Sequence, residues 1–117
     1  MLTWSGKPVY LACGATDMRK SINGLSAIVE AGFKLNPFEA GVFVFCNRNR
    51  DRVKILEWGG DGFWLYFKRL ERGRFRWPNA DESQTMLLSS EELELLLGSP
   101  RIVQKLKRQE VKPCALV

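Results

Sequence analysis

An α+β domain is what this sequence predicts: an antiparallel sheet of four to five strands, with one helix on a face and a C-terminal helix. Three observations lead there. Short apolar, β-favouring runs recur at 42–46, 53–58 and 63–70, each bounded by turn-forming residues. Between Met18 and Phe33 the apolar residues follow a helical spacing instead. At Ser89 a capping signature opens a leucine-rich segment.

The elements follow in chain order. Val9 to Cys13 is a short apolar run ending at Gly14 and reads as a strand. Thr16 or Asp17 can cap a following helix, because either side chain accepts from free first-turn N–H groups. Met18, Ile22, Leu25, Val29 and Phe33 form one apolar face of a helix from Asp17 to Ala31, with Gly32 placed to end it and Asn36-Pro37 starting a loop. Val42–Cys46 and Val53–Trp58 pair across the arginine-bearing turn 47–52. A glycine-rich turn, 59–62, leads into Phe63–Leu70. Arg72-Gly73 turns the chain again, and Arg74–Trp77 returns as a fourth strand of an antiparallel meander. Both faces of the 63–70 strand are largely apolar, which predicts a central strand covered on both sides. Thr85–Leu88 is a candidate fifth strand. Ser89 and Glu92 then form a capping box, with Leu93, Leu96 and Leu97 as the apolar face and Gly98 as the stop. Arg101 to Gln109 reads as a short basic amphipathic helix. The organisation expected is one domain over 1–98 and a basic C-terminal tail over 99–117.

Composition narrows the function. The 117 residues carry a formal net charge of +5, which favours a polyanionic partner. There is no histidine, which excludes a Ser-His-Asp triad and imidazole acid–base work. Cys13, Cys46 and Cys114 are widely spaced and form no CxxC, consistent with reduced thiols and no zinc site. No apolar run has the length of a membrane span, and the first residues lack a signal pattern, so a cytoplasmic protein is expected.

The charge is segregated. From Asn47 to Trp77 there are nine Lys/Arg and four acids, from Asn79 to Gly98 five acids and no base, and beyond Ser99 five bases and one acid. The candidate nucleic-acid contacts are therefore Arg48, Arg50, Arg52 and Lys54 on or beside one turn, and Lys68, Arg69, Arg72, Arg74 and Arg76 around the next. Guanidinium forks match phosphate geometry. The competing reading is a solvated loop with local pairing to Asp51 and Glu71. The interleaved rings Trp58, Trp64, Tyr66, Phe75 and Trp77 admit base stacking or core packing. Packing is preferred for most, and Trp77, beside Pro78 at a strand end, is the expected exception. Asp17 reads as a cap rather than a metal ligand. Asp51, Asp61 and Glu71 are turn acids among cations, better suited to surface pairing than to a two-metal site. No catalytic residue, metal ligand or cofactor is assigned.

Several blocks together resemble one family. They are Thr16-Asp17-Met18-Arg19-Lys20, Gly24-Leu25, Phe43-Val44-Phe45, Asp51 to Leu56, and Gly62-Phe63 through Tyr66-Phe67-Lys68-Arg69-Leu70-Glu71-Arg72-Gly73-Arg74-Phe75-Arg76-Trp77-Pro78. The chain resembles the accessory protein encoded by the second reading frame of insertion sequence 66 type bacterial transposons, often called TnpB of that class. The resemblance covers roughly Val9 to Leu97. It implies a cytoplasmic protein that assists DNA transposition while a separate, larger transposase performs the chemistry, and it implies no established enzymatic activity. The expected partners are DNA and the transposase or other element-encoded proteins, with no membrane and no small-molecule substrate. Two roles remain open: DNA binding through the basic, aromatic-rich hairpin, or docking of the transposase without contact to DNA.

Overall fold

The computed structural model describes residues 4, 6–39, 41–80 and 83–98. The tail 99–117, with its expected basic helix, lies outside the described residues. Among the described residues five strands form one sheet: β1 (Val9–Ala12), β2 (Val42–Cys46), β3 (Arg52–Trp58), β4 (Phe63–Arg69) and β5 (Thr85–Leu88). Two helices accompany them, α1 (Ile22–Ala27), which runs on into a π-helical turn Ile28–Gly32, and α2 (Ser90–Leu97). The α+β class is as expected, but the sheet is mixed. Its order is β4-β3-β2-β1-β5, and β1 pairs with β2 in parallel while every other pair is antiparallel. The parallel step is made by the α1 crossover, since parallel neighbours cannot be joined by a tight turn.

Strand alternation divides the core in two. Val9, Leu11, Val42, Val44, Cys46, Val53 and Ile55 point to one face, where α2 covers them with Leu93 and Leu96, together with Trp4, Phe75 and Trp77. Phe43, Phe45 and Leu56 point to the other, where Leu25 and Val29 of the α1 segment cover them, and Met18, Ile22 and Phe33 pack alongside. The residues assigned to one helical face thus do share one face. The α2 start is also as read: Ser89 Oγ accepts from the Glu92 amide at 3.1 Å, and Glu92 Oε1 accepts from the Ser89 amide at 2.8 Å.

Three expectations are corrected. The first helix does not start at Asp17. The Asp17 carboxylate accepts from the Arg19 amide at 2.9 Å and its carbonyl accepts from the Lys20 amide at 3.1 Å, which closes a separate turn before Ser21, the N-cap of α1. Second, β4 is not central. Among the described residues it pairs only with β3, and its outward rings are open to solvent, Trp64 61 % and Phe67 54 % exposed. Third, Arg74–Trp77 is no strand. Residues 70–79 form a strap that doubles back across the sheet end. The Leu70 amide donates to the Asp51 carbonyl at 2.8 Å, the Phe75 amide to the Arg50 carbonyl at 2.7 Å, and the Gly14 amide to the Pro78 carbonyl at 2.9 Å. Gly14 has φ +77°, and a Cβ there would lie 3.1 Å from the Ala80 side chain, so both the turn and the close approach call for glycine.

Candidate nucleic-acid interface

The turn between β2 and β3 is built by one side chain. Asn47 Oδ1 accepts from the amides of Asp51 and Arg52, each at 3.0 Å, and its Nδ2 donates to Asp51 Oδ1 at 2.7 Å. That side chain replaces backbone partners and frees the turn to project Arg48 and Arg50 outward, both exposed. Arg50 adopts φ +62°, an uncommon conformation for a residue with a Cβ, and its amide donates to the Asn47 carbonyl at 3.1 Å while its carbonyl receives Phe75. The Asn47 amide and the Arg52 guanidinium, 3.4 Å away, hold the Asp51 carboxyl below the usual carboxylate range, with Arg74 adding to the effect.

β4 ends beside the start of β3, so Arg69 lies opposite Arg52, and Phe67 opposite Lys54. The strap then carries Arg72 and Arg74, both exposed, past the same end of the sheet. The 16–20 turn is held there as well. The Thr16 amide donates to the Cys46 carbonyl at 2.7 Å, and Lys54 Nζ donates to the carbonyls of Met18 and Lys20 at 2.8 Å each. Cations from three segments far apart in sequence therefore meet: Arg19 from the first, Arg48, Arg50 and Arg52 from the second, and Arg69, Arg72 and Arg74 from the third. The nearby acids are engaged. Asp17 is clamped by Arg19, with Nη2 to Oδ2 at 2.8 Å, and that contact holds its carboxyl at about 2. Glu71 pairs with Arg69 at 2.8 Å.

Between the 16–20 turn and β4 lies an open groove of about 590 Å³, lined by Asp17, Met18, Arg19, Asn47, Arg52, Lys54 and Phe67. Phe67 was read from the sequence as a buried member of a central strand. The signal that it is surface-facing was its position two residues before Arg69, on the same side of the strand.

Four expected contacts sit differently. Trp77 is 6 % exposed, and its indole Nε1 donates to the Ala12 carbonyl at 2.8 Å, so its ring is a core element and not an open stacking platform. The strap folds inward there because Phe75 and Trp77 alternate toward the sheet. Lys54 directs its ammonium to two carbonyls and ties the 16–20 turn to β3. Lys68, on the other face, donates to the Leu97 carbonyl, where a cation suits the C-terminal end of α2. Arg76 is half-buried, and its Nε is a buried side-chain nitrogen without a hydrogen-bond partner among the described residues.

The acids do not gather. Asp61 sits in the β3–β4 turn, at the opposite end of β3 from Asp51, roughly 20 Å away at ~3.3 Å per strand residue. Among the described residues no three His, Cys, Asp or Glu side chains are placed to share a metal ion. Cys46, the last residue of β2, is buried on the face that α2 covers, and burial pushes its thiol up to about 12. Glu57, 7 % exposed on the α2 face, accepts from Lys7 Nζ and, at 3.1 Å, from the Tyr66 hydroxyl. Burial and then Glu57 raise the Tyr66 phenol above its usual range.

The model of one family, described as IS66 Orf2 like protein, matches residues 7–107. The chain belongs to that family. Membership in the IS66 Orf2 like family makes it an accessory protein associated with transposition. Two relatives come from Sinorhizobium fredii. The uncharacterized protein y4hO is 40 % identical over 90 residues, which is 77 % of each chain. The uncharacterized protein y4jC is 32 % identical over 107 residues, 92 % of this chain and 90 % of the relative. No solved structure matches. The strap and the 16–20 turn are thus IS66 Orf2 like segments, and they meet at the basic end of the sheet. No described helix is long and apolar enough to cross a membrane.

Proposed function

We propose that this IS66-type accessory protein binds DNA through the basic end of its sheet and acts by positioning it, while a separate transposase breaks and joins strands. The observation that carries the reading is the meeting of Arg19, Arg48, Arg50, Arg52, Arg69, Arg72 and Arg74 from three separate segments. One flexible basic loop would be an ordinary solvated feature. Here three segments are fixed to each other by backbone and side-chain hydrogen bonds, so the backbone positions that carry the arginines are set before DNA arrives and less ordering is left to binding. Arginine forks fixed in this way suit a phosphate backbone.

The test is gel-shift or anisotropy titration across a salt series. Replacing Arg48, Arg50, Arg72 and Arg74 with Ala leaves the core contacts in place. It should weaken DNA binding and flatten the salt dependence by roughly one unit of slope per lost phosphate contact. An unchanged affinity and slope in the folded variant would remove the assignment. Docking of the transposase without DNA contact is the second reading, and it draws on the open edge of β4 with Trp64 beside it. That role predicts little DNA affinity at physiological salt, and retention of the transposase by a Trp64-intact protein that lacks the four arginines.

A further inference from the structure

We infer that the groove at Phe67 receives an unpaired base, so that the DNA form this protein prefers is single-stranded or locally opened. The inference rests on the DNA-binding reading above and specifies its ligand. Phe67 is a large ring left 54 % exposed on a strand, in a groove it shares with the cations Arg19, Arg52 and Lys54 and with Asp17, Met18 and Asn47. Such a ring gains nothing from a duplex, whose base faces are stacked on one another, but offers a stacking face to a base released from the stack. The surroundings match a nucleotide part by part. Arg52 lines the groove with Phe67, and Arg69 stands opposite Arg52 in register and two residues beyond Phe67 on the same side. A base on the ring therefore places its neighbouring phosphates toward two guanidinium groups. The opposite wall is the 16–20 turn, held by Lys54 through two carbonyls, and its acid is occupied by Arg19. The groove is open, with about 590 Å³ of space, which is room for one nucleotide. An acidic peptide would satisfy the arginines but would leave the ring without a flat partner.

The experiment titrates the full chain with a labelled single-stranded oligonucleotide, with a duplex of the same length, and with the single strand carrying abasic positions. The single strand should bind more tightly than the duplex, and abasic positions should remove the advantage. Phe67→Ala should weaken single-strand binding about 5- to 150-fold. It should leave duplex binding and the salt slope unchanged, because no phosphate contact is lost. Phe67→Tyr, which keeps a stacking face, should restore the wild-type values. Phe67 is solvent-exposed, so these variants stay folded, and a thermal melt verifies it. Equal loss on both DNA forms, or no loss with Phe67→Ala, overturns the stacking inference and leaves the DNA-binding reading intact. Failure of both DNA forms to bind at low salt overturns both.

Discussion

Removing the indole N–H of Trp77 separates a core strut from a base-stacking platform. In Trp77→Phe most of the apolar contact in the strap is kept, but the donor to the Ala12 carbonyl, at 2.8 Å, is lost. Leaving a buried acceptor without its partner costs about 1–3 kcal/mol. The smaller ring also leaves a void beside Phe75, whose centroid lies 6.5 Å from that of Trp77, and a partial large-to-small change in a core adds about 1 kcal/mol. The sum is about 2–4 kcal/mol. For a domain of this size each kcal/mol lowers Tm by about 4 °C or more, so a drop of at least about 8 °C is expected. Below the transition, DNA affinity should be unchanged. The assay is a thermal or urea melt followed by circular dichroism, with an anisotropy titration well below Tm. A Tm within about 2 °C of the wild type, together with weakened DNA binding, would refute the argument. It would mean that Trp77 faces solvent and contacts the ligand.

Two further outcomes concern ionisation and reactivity. Arg19 holds the Asp17 carboxyl at about 2, so this ion pair supports the native state above the ordinary carboxylate range and the support is lost as the pH falls toward 2. In Arg19→Ala an NMR titration of Asp17 should move its midpoint back up toward ordinary values near 3.8, and an unmoved midpoint would show that Arg19 is not the cause. Burial pushes the Cys46 thiol up to about 12, so peptide mapping after alkylation at pH 8 should find Cys46 unmodified until the protein is denatured, and modification at a native-state rate like that of a free thiol would contradict the packing. Its folded-state pKa is raised, so the same burial costs stability as pH climbs above the usual thiol range near 9.

How much of this was legible in the sequence depended on the range of the interactions. Val42–Cys46, Thr85–Leu88 and the Ser89–Glu92 box were readable because local alternation and local capping decide them. The helical spacing from Met18 to Phe33 correctly grouped the residues that face Phe43 and Phe45, yet it misplaced the helix start. Side-chain periodicity does not report that the 16–20 backbone is held by bonds from Thr16 to Cys46 and from Lys54 to Met18 and Lys20, far along the chain. The parallel pairing of β1 with β2 had a signal in the strand–helix–strand order of 9–46, but the expectation of an antiparallel sheet passed over it, and the register across the crossover is set by the sheet as a whole. The two-sided apolar pattern of β4 pointed to a central strand. Its outer half instead stays open, because the strap that follows turns under the sheet toward Ala12 rather than pairing along β4. The same turn explains why the basic residues were found by composition while the ring that joins them, Phe67, was assigned to the interior.

The position of β1 between β2 and β5 has a consequence for how the chain is made. Strand β1 leaves the ribosome well before β5 and waits for it before its hydrogen bonds are complete. The local steps, β2 with β3 and β3 with β4, close within a few residues and can form early. By contrast, β1 joins residues 9–12 to 85–88, and that separation makes its docking a late, entropically expensive event. Until Thr85–Leu88 emerges, Val9 and Leu11 present an apolar ribbon with one open side, the kind of surface that recruits foreign strands. The nascent protein is most exposed to misassembly during that interval, and the arrival of β5 and α2 ends it by covering both the edge and the face at once.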